Sequence, residues 1–187
     1  MRNLRKALST LSLIGIGLGI NADGQAASGA GPYYATPSWD QTLQCDTAAT
    51  CPRFIVLTSM NSEAVLDRET GLVWEKTPSA SPLGWFNASF HCLTLNTGGR
   101  TGWRLPALPE LLSLMDRSQK NPALPAGHPF TVTLSFYWSA TSMASAPTNA
   151  FNVNVGSGSV GAFGKANPDD ISDLAWCVRG GAGGENQ

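Results

Sequence analysis

The sequence predicts a disulfide-bonded α+β domain in which two helices pack on a small antiparallel sheet. Two stretches, 85–95 and 109–117, repeat their apolar residues at helical spacing. The later segment 150–155 alternates apolar and polar residues, as a strand with one buried face does. Four cysteines accompany these elements. Helices followed by antiparallel strands are typical of the α+β class.

The first 26 residues predict a secretory signal peptide. A basic start is followed by the short apolar run 11–20 and by small residues at 24–26. Ten apolar residues are too few to span a bilayer, and no later segment is apolar enough to insert into a membrane. The alternative is a buried N-terminal strand or helix. We therefore expect an exported protein that is periplasmic, cell-surface or extracellular.

The charge of the chain argues against nucleic acid as a partner. Lys and Arg number 12 against 13 Asp and Glu. Removing residues 1–26 takes away three basic residues and one acidic residue, which leaves a net charge of −3. Such a chain has no overall positive field that would attract nucleic acid or an anionic membrane.

Four cysteines in an exported chain predict two disulfides, and three pairings are available. We favour Cys45–Cys51, which closes a short loop, and Cys92–Cys177, which ties the first helix to the last strand. Metal ligation is the alternative. It is weaker because no Cys-x-x-Cys pair occurs and only His91 and His128 are available as further ligands.

Residues 27–53 predict an extended N-terminal segment with the short disulfide loop, and the domain is expected to span 54–181. The strands 54–57, 64–67 and 72–75 come first, with a turn at 68–71. The helix 85–95 is predicted to be mostly buried, and the second helix begins with Pro109 at its first position.

The second half of the domain is predicted to be β-structure. A proline-rich loop at 121–129 precedes the strands 136–139, 150–155, 160–163 and 174–179. In the alternating strand Phe151, Val153 and Val155 are predicted to face inward, and Asn152 and Asn154 outward. Residues 182–187 form a tail predicted to be disordered.

Four motifs in order resemble the Lcl C-terminal domain family, a domain of unknown function in secreted bacterial proteins and at the end of a collagen-like adhesin. They are Val65-Leu-Asp-Arg-Glu-Thr-Gly-Leu-Val-Trp74, Gly102-Trp-Arg-Leu-Pro106 with Glu110-Leu111, Tyr137-Trp-Ser139 with Thr141, and Cys177-Val-Arg179. The resemblance implies a C-type-lectin-like fold and, through the adhesin, sulfated polysaccharides as ligands. The collagen-like repeats of that adhesin are missing here.

Aromatic and basic residues are the first candidates for ligand binding. Indole rings can stack on sugars, but tryptophans inside the motifs are more often core residues. Trp39, outside the domain, is the better exposed candidate. Arg104 can hold a carboxylate or sulfate with two hydrogen bonds. Its alternative use, which we favour, is to pair with Asp67, Glu110 or Asp116 inside the fold.

Oxygen-bearing side chains are the second group of candidates. Asp169, Asp170 and Asp173 precede Cys177 and could contribute to a calcium site, although a solvated acidic turn is the favoured interpretation. Asn152 and Asn154 could hydrogen-bond a glycan or form the wet side of a sheet. No cofactor and no metal site is otherwise predicted.

No catalytic motif or nucleophile–base pair is evident in the sequence. We therefore predict a non-enzymatic exported binding domain that recognises a polysaccharide in adhesion or at a surface. The alternative is a structural or assembly subunit of an envelope or surface complex, in which residues 27–53 contact a protein partner.

Overall fold

The computed structural model describes residues 52–166 and 173–180. The α+β class predicted from the sequence is confirmed. The predicted signal peptide, Trp39, the predicted Cys45–Cys51 loop, Asp169, Asp170 and the predicted tail at 182–187 lie outside the described residues. The helices and strands, in chain order, are β1 Phe54–Val56, β2 Ala64–Asp67, β3 Val73–Glu75, α1 Trp85–Thr94, α2 Leu108–Ser113, β4 Phe136–Met143, β5 Ala146–Asn154, β6 Val160–Gly164 and β7 Val178–Arg179.

The strands form two antiparallel sheets rather than the single sheet that the sequence predicted. One has the order β1-β2-β3-β7 and the other the order β4-β5-β6. The segment 174–178 contacts both sheets: Leu174 bridges Tyr137 of β4, and Val178, the first residue of β7, pairs with Trp74 of β3. The predicted continuous strand 174–179 is therefore divided, because its two ends serve different sheets.

The core consists of two packed groups of buried side chains. One group contains Trp74, Trp176, Tyr137 and the inward residues of α2. The other contains Trp103, Trp138 and the inner side of α1. All four tryptophans of the family motifs are at most 1% exposed, so the core interpretation of these residues is confirmed.

The disulfide between Cys92 and Cys177 is present, with a Cα–Cα distance of 5.4 Å. It joins α1 to the residue immediately before β7. The predicted link between the first helix and the last strand is therefore confirmed.

Helix α2 is shorter than predicted and begins one residue earlier. Pro109 lies in its first turn, and the Glu110 carboxylate accepts a hydrogen bond from the Ala107 backbone N–H at 2.8 Å, which satisfies one free donor of the helix start. The helix ends at Ser113 because the chain then turns: the Asp116 N–H pairs with the Ala123 carbonyl at 2.9 Å. The prediction that the helical stretch extends to residue 117 is therefore wrong.

Candidate functional site

The four motif tryptophans are unavailable for stacking on a ligand. Each is buried, and three of them direct the indole N–H at a backbone carbonyl: Trp103 at Arg100, Trp138 at Leu83 and Trp176 at Glu75, at 2.8–2.9 Å. Burying a large ring while satisfying its N–H is the usual arrangement of a core tryptophan.

Arg104 makes an ion pair inside the fold. Its Nη1 and Nη2 each donate to one oxygen of Glu110 at 2.7 Å, and Nη2 also donates to the Gly180 carbonyl at 2.6 Å. This two-pronged pairing connects the strand-like Arg104 segment, α2 and the end of β7. The structural use favoured from the sequence is therefore present, and a ligand-binding role for Arg104 stays a prediction.

Asn152 does not face solvent as the sequence predicted. It is fully buried, and its Nδ2 donates to the Asp173 carboxylate, which is also fully buried. Val153 and Val155 are buried as predicted, but Phe151 is only half-buried, and Ala150 on the other face is buried with Asn152. The second face of the strand is therefore covered too. The Asn152 Oδ1 has no hydrogen-bond partner. A Cβ built on Gly161 would lie only 2.5 Å from this oxygen. A side chain at position 161 would collide with it.

Asn154 is half-buried and stabilises the β5–β6 hairpin. Its Oδ1 accepts hydrogen bonds from the Ser157 backbone N–H at 3.1 Å and from the Ser157 hydroxyl at 3.3 Å. This is the turn chemistry expected of an asparagine at the end of a strand. Of the acidic cluster, only Asp173 is among the described residues, so a calcium site with Asp169 and Asp170 stays a prediction.

Helix α1 carries an exposed apolar face, which sequence reasoning missed. Phe86, Phe90 and Leu93 are 62%, 67% and 61% exposed. Their spacing, i, i+4 and i+7, aligns them in one stripe along the helix. The prediction that this helix is mostly buried is therefore wrong: only Ala88 and Cys92 are buried. We call these three side chains the outer face of α1.

A polar pocket of about 590 Å³ lies near the C-terminal end of α1. The residues lining it are Ser62, Glu63, Lys76, Thr77, Leu95, Asn96 and Thr97. The Glu63 carboxylate accepts the Gly98 backbone N–H at 2.7 Å, which holds one wall in place. The pocket offers hydroxyls, an amide, a carboxylate and an ammonium group, so it suits a ligand rich in hydroxyls.

Glu75 is a buried acid close to this pocket. Its Oε2 accepts the Cys177 backbone N–H at 2.9 Å, and the Thr97 side chain also hydrogen-bonds it. Burial raises the pKa of Glu75 from 4.5 to about 7, because desolvation outweighs these two hydrogen bonds. Its carboxylate, an imidazole nitrogen of His91 and the Cys177 sulfur lie within 4.8 Å of one another.

His128, one of the two histidines weighed as ligands, lies in the proline-rich loop apart from that cluster. Its Nδ1 accepts the Phe130 backbone N–H at 3.2 Å, and its ring stacks on Phe130. Partial burial lowers the pKa of His128. We assign it a structural role in the loop.

Comparison with known proteins agrees with the motif order. A family model described as the Lcl C-terminal domain matches residues 63–179, which is more than half of the chain. A search of the curated proteins with this chain found no match. Within residues 52–166 and 173–180, no helix is long and apolar enough to cross a membrane.

Proposed function

The chain belongs to the Lcl C-terminal domain family, and from this premise we propose that it is an exported, non-enzymatic recognition domain. Its partner is a protein with an apolar groove that receives the outer face of α1. We also propose that the fold is a relative of the C-type-lectin-like fold. The Cys92–Cys177 bond supports export, because such bonds form in oxidising compartments.

The outer face of α1 is the observation that carries the proposal. Soluble domains rarely leave several large apolar side chains exposed side by side unless the surface binds something. Large apolar residues spaced i, i+4 and i+7 are the usual anchors by which a helix binds in an apolar groove.

Charge specifies the partner further. The ten residues of α1 contain no Lys, Arg, Asp or Glu. The outer face of α1 therefore needs no compensating charge in a groove that receives it, and a sulfated chain finds no cation among its three side chains. The Lys165 ammonium lies instead over Trp85 in the first turn of the helix, 4.6 Å from the ring centroid. This favours an uncharged apolar protein surface over an anionic polysaccharide at α1.

A polysaccharide is the second candidate ligand, and the polar pocket favours it. Ser62, Thr77, Asn96 and Thr97 offer hydrogen-bonding groups there, and Lys76 and Glu63 add one charge of each sign. Such a lining suits hydroxyl-rich ligands better than apolar ones. The two candidates use different surfaces, so they can be tested separately.

The first experiment places a photo-crosslinking phenylalanine analogue at position 90 of the exported chain in its own cells. Asn87 is the matched control position, because it is exposed on the same helix but outside the apolar stripe. We expect one discrete protein adduct from position 90, none from position 87, and loss of the adduct when Phe86→Asp is added.

A negative charge provides the matched binding test. Phe90→Asp and Asn87→Asp both add one carboxylate to exposed positions of α1, and neither should lower the stability of the fold. Only Phe90→Asp should abolish binding to the crosslinked partner. Equal effects of the two variants, or equal adducts from both positions, would contradict the role of the outer face.

A glycan array tests the second candidate. Binding that survives Phe90→Asp but is lost in Lys76→Ala would assign the polysaccharide to the pocket. Calcium-dependent binding lost in Asp169→Ala or Asp170→Ala would instead support the predicted calcium site. The array is run with calcium and then with a chelator. If no glycan binds under either condition, recognition of a protein partner remains as the proposed function.

A further inference from the structure

A group of potential metal ligands surrounds the disulfide. The Glu75 carboxylate, His91 imidazole and Cys177 sulfur lie within 4.8 Å of one another, and Cys92 Sγ is bonded to Cys177 Sγ at 2.06 Å. We propose that the reduced chain binds one zinc ion between Cys92, Cys177, His91 and Glu75.

The donor set matches the preferences of zinc. Structural zinc sites take four ligands in tetrahedral geometry from cysteine, histidine and carboxylate side chains. Two sulfurs at about 2.3 Å from a tetrahedral ion lie roughly 3.8 Å apart. The Cα atoms of Cys92 and Cys177 are 5.4 Å apart, so rotation of the two reduced side chains can place their sulfurs at that separation.

The scaffold already orients one of the ligands, Glu75. Glu75 Oε2 accepts the Cys177 backbone N–H, and Thr97 hydrogen-bonds the same side chain. Contacts of this type hold a ligating carboxylate in position. The four ligands come from β3, from α1 and from the residue before β7, so the ion would join the same elements as the disulfide.

The oxidation state of the cysteines determines whether this site exists. Zinc binds cysteine as the thiolate. In the disulfide neither sulfur is a thiolate, so neither can serve as that ligand. A dithiol reductant transfers two electrons and two protons to the bond, leaving two thiols and an oxidised dithiol. Zinc then displaces both thiol protons. Metal and disulfide are therefore mutually exclusive in one molecule, and the metal form belongs to the chain before the bond closes.

Zinc titration of the mature chain 27–187 tests this inference. Every protein in the experiment carries Cys45→Ser and Cys51→Ser, so that only the thiols of Cys92 and Cys177 can bind zinc. The protein is reduced with a phosphine under argon, and zinc chloride is titrated against a chromogenic chelator. We expect one zinc per reduced chain and none per disulfide-bonded chain.

Two ligand variants and one control distinguish a four-ligand zinc site from zinc binding by the two cysteines alone. His91→Ala and Glu75→Gln should each weaken zinc binding by at least about tenfold, the loss that even outer-shell changes cause. His128→Ala should leave it unchanged, because His128 is outside the cluster. Cobalt substitution gives a second readout, since its absorption bands report the number of sulfur ligands even where a variant folds poorly.

Several outcomes would overturn the inference. These are zinc binding that is equal in the His91→Ala, Glu75→Gln and His128→Ala variants, zinc binding to the oxidised chain, and cobalt spectra with a single sulfur ligand. The proposed partner binding is measured on the oxidised chain and does not depend on these results.

Discussion

Replacing Gly98 with alanine tests how closely the turn after α1 packs on the turn after β1. Gly98 is buried and has a left-handed backbone, with φ of 64°. A Cβ built on it would lie 2.5 Å from Met60 Cβ and 2.9 Å from the Met60 carbonyl oxygen. Met60 itself is only 3% exposed. Because Cβ and backbone atoms cannot rotate away, one of the two turns must move.

The expected loss of stability has two parts. A left-handed backbone costs alanine about 1 kcal/mol relative to glycine. Forcing extra volume into a packed site costs about 1–3 kcal/mol more. We therefore expect Gly98→Ala to lower the free energy of unfolding by about 2–4 kcal/mol and Tm by about 8–16 °C.

Gly99→Ala is the matched control, because the two glycines are adjacent and share the backbone constraint. Gly99 has φ of 67°, but a Cβ there meets no atom within 4 Å. Gly99→Ala should therefore lower the free energy of unfolding only by the cost of the left-handed backbone, about 1 kcal/mol. Urea unfolding of both variants, followed by tryptophan fluorescence, measures the difference. Losses equal to within about 0.5 kcal/mol would refute the close contact with Met60.

Three further predictions use the same unfolding assay. Replacing Cys92 and Cys177 together by alanine should destabilise the chain by roughly 4–5 kcal/mol, because the bond closes a loop with a sequence separation of 85; a loss below about 1 kcal/mol would contradict this. Glu75, with its pKa raised from 4.5 to about 7, favours the folded state when it is protonated, so in the disulfide-bonded protein its contribution is complete below pH 4.5 and is lost as pH rises through 7. Glu75→Gln should therefore gain roughly 3 kcal/mol relative to the native chain between pH 4.5 and 8, and a constant difference would show that Glu75 does not titrate in this range. Arg104→Lys keeps the charge but loses the paired hydrogen bonds to Glu110, so we expect a cost of about 1–2 kcal/mol and would abandon the two-pronged account if the variant were neutral.

Much of the local structure could be predicted because it depends on neighbouring residues. The segment 64–75 combines strand-forming residues with the turn around Gly71, and it folds as the β2–β3 hairpin. The pairing of Cys92 with Cys177 was favoured among three possible pairings, and the structure contains it. The motif tryptophans were assigned to the core on size alone, and they are buried.

The outer face of α1 could have been found from the same disulfide. Cys92 must face Cys177, which fixes the inner side of the helix, and Ala88 lies on that side with it. Phe86, Phe90 and Leu93 then fall on a different side of a 3.6-residue helix. Counting apolar residues without this constraint predicted a buried helix.

Other features could not be predicted from local sequence. Asn152 alternates correctly with Val153, yet it is buried because Asp173, 21 residues away, covers its face of the strand. The division into two sheets depends on Leu174 and Val178 pairing with different strands.

The sequence alone indicated the family, the α+β class and the approximate positions of most helices and strands. Only the tertiary structure decided which faces are covered, where the ion pair of Arg104 forms and which apolar surface remains exposed. The physical reason is that side-chain periodicity follows from the backbone geometry of consecutive residues. Burial depends on which distant segments pack against a face, and no local pattern specifies those segments.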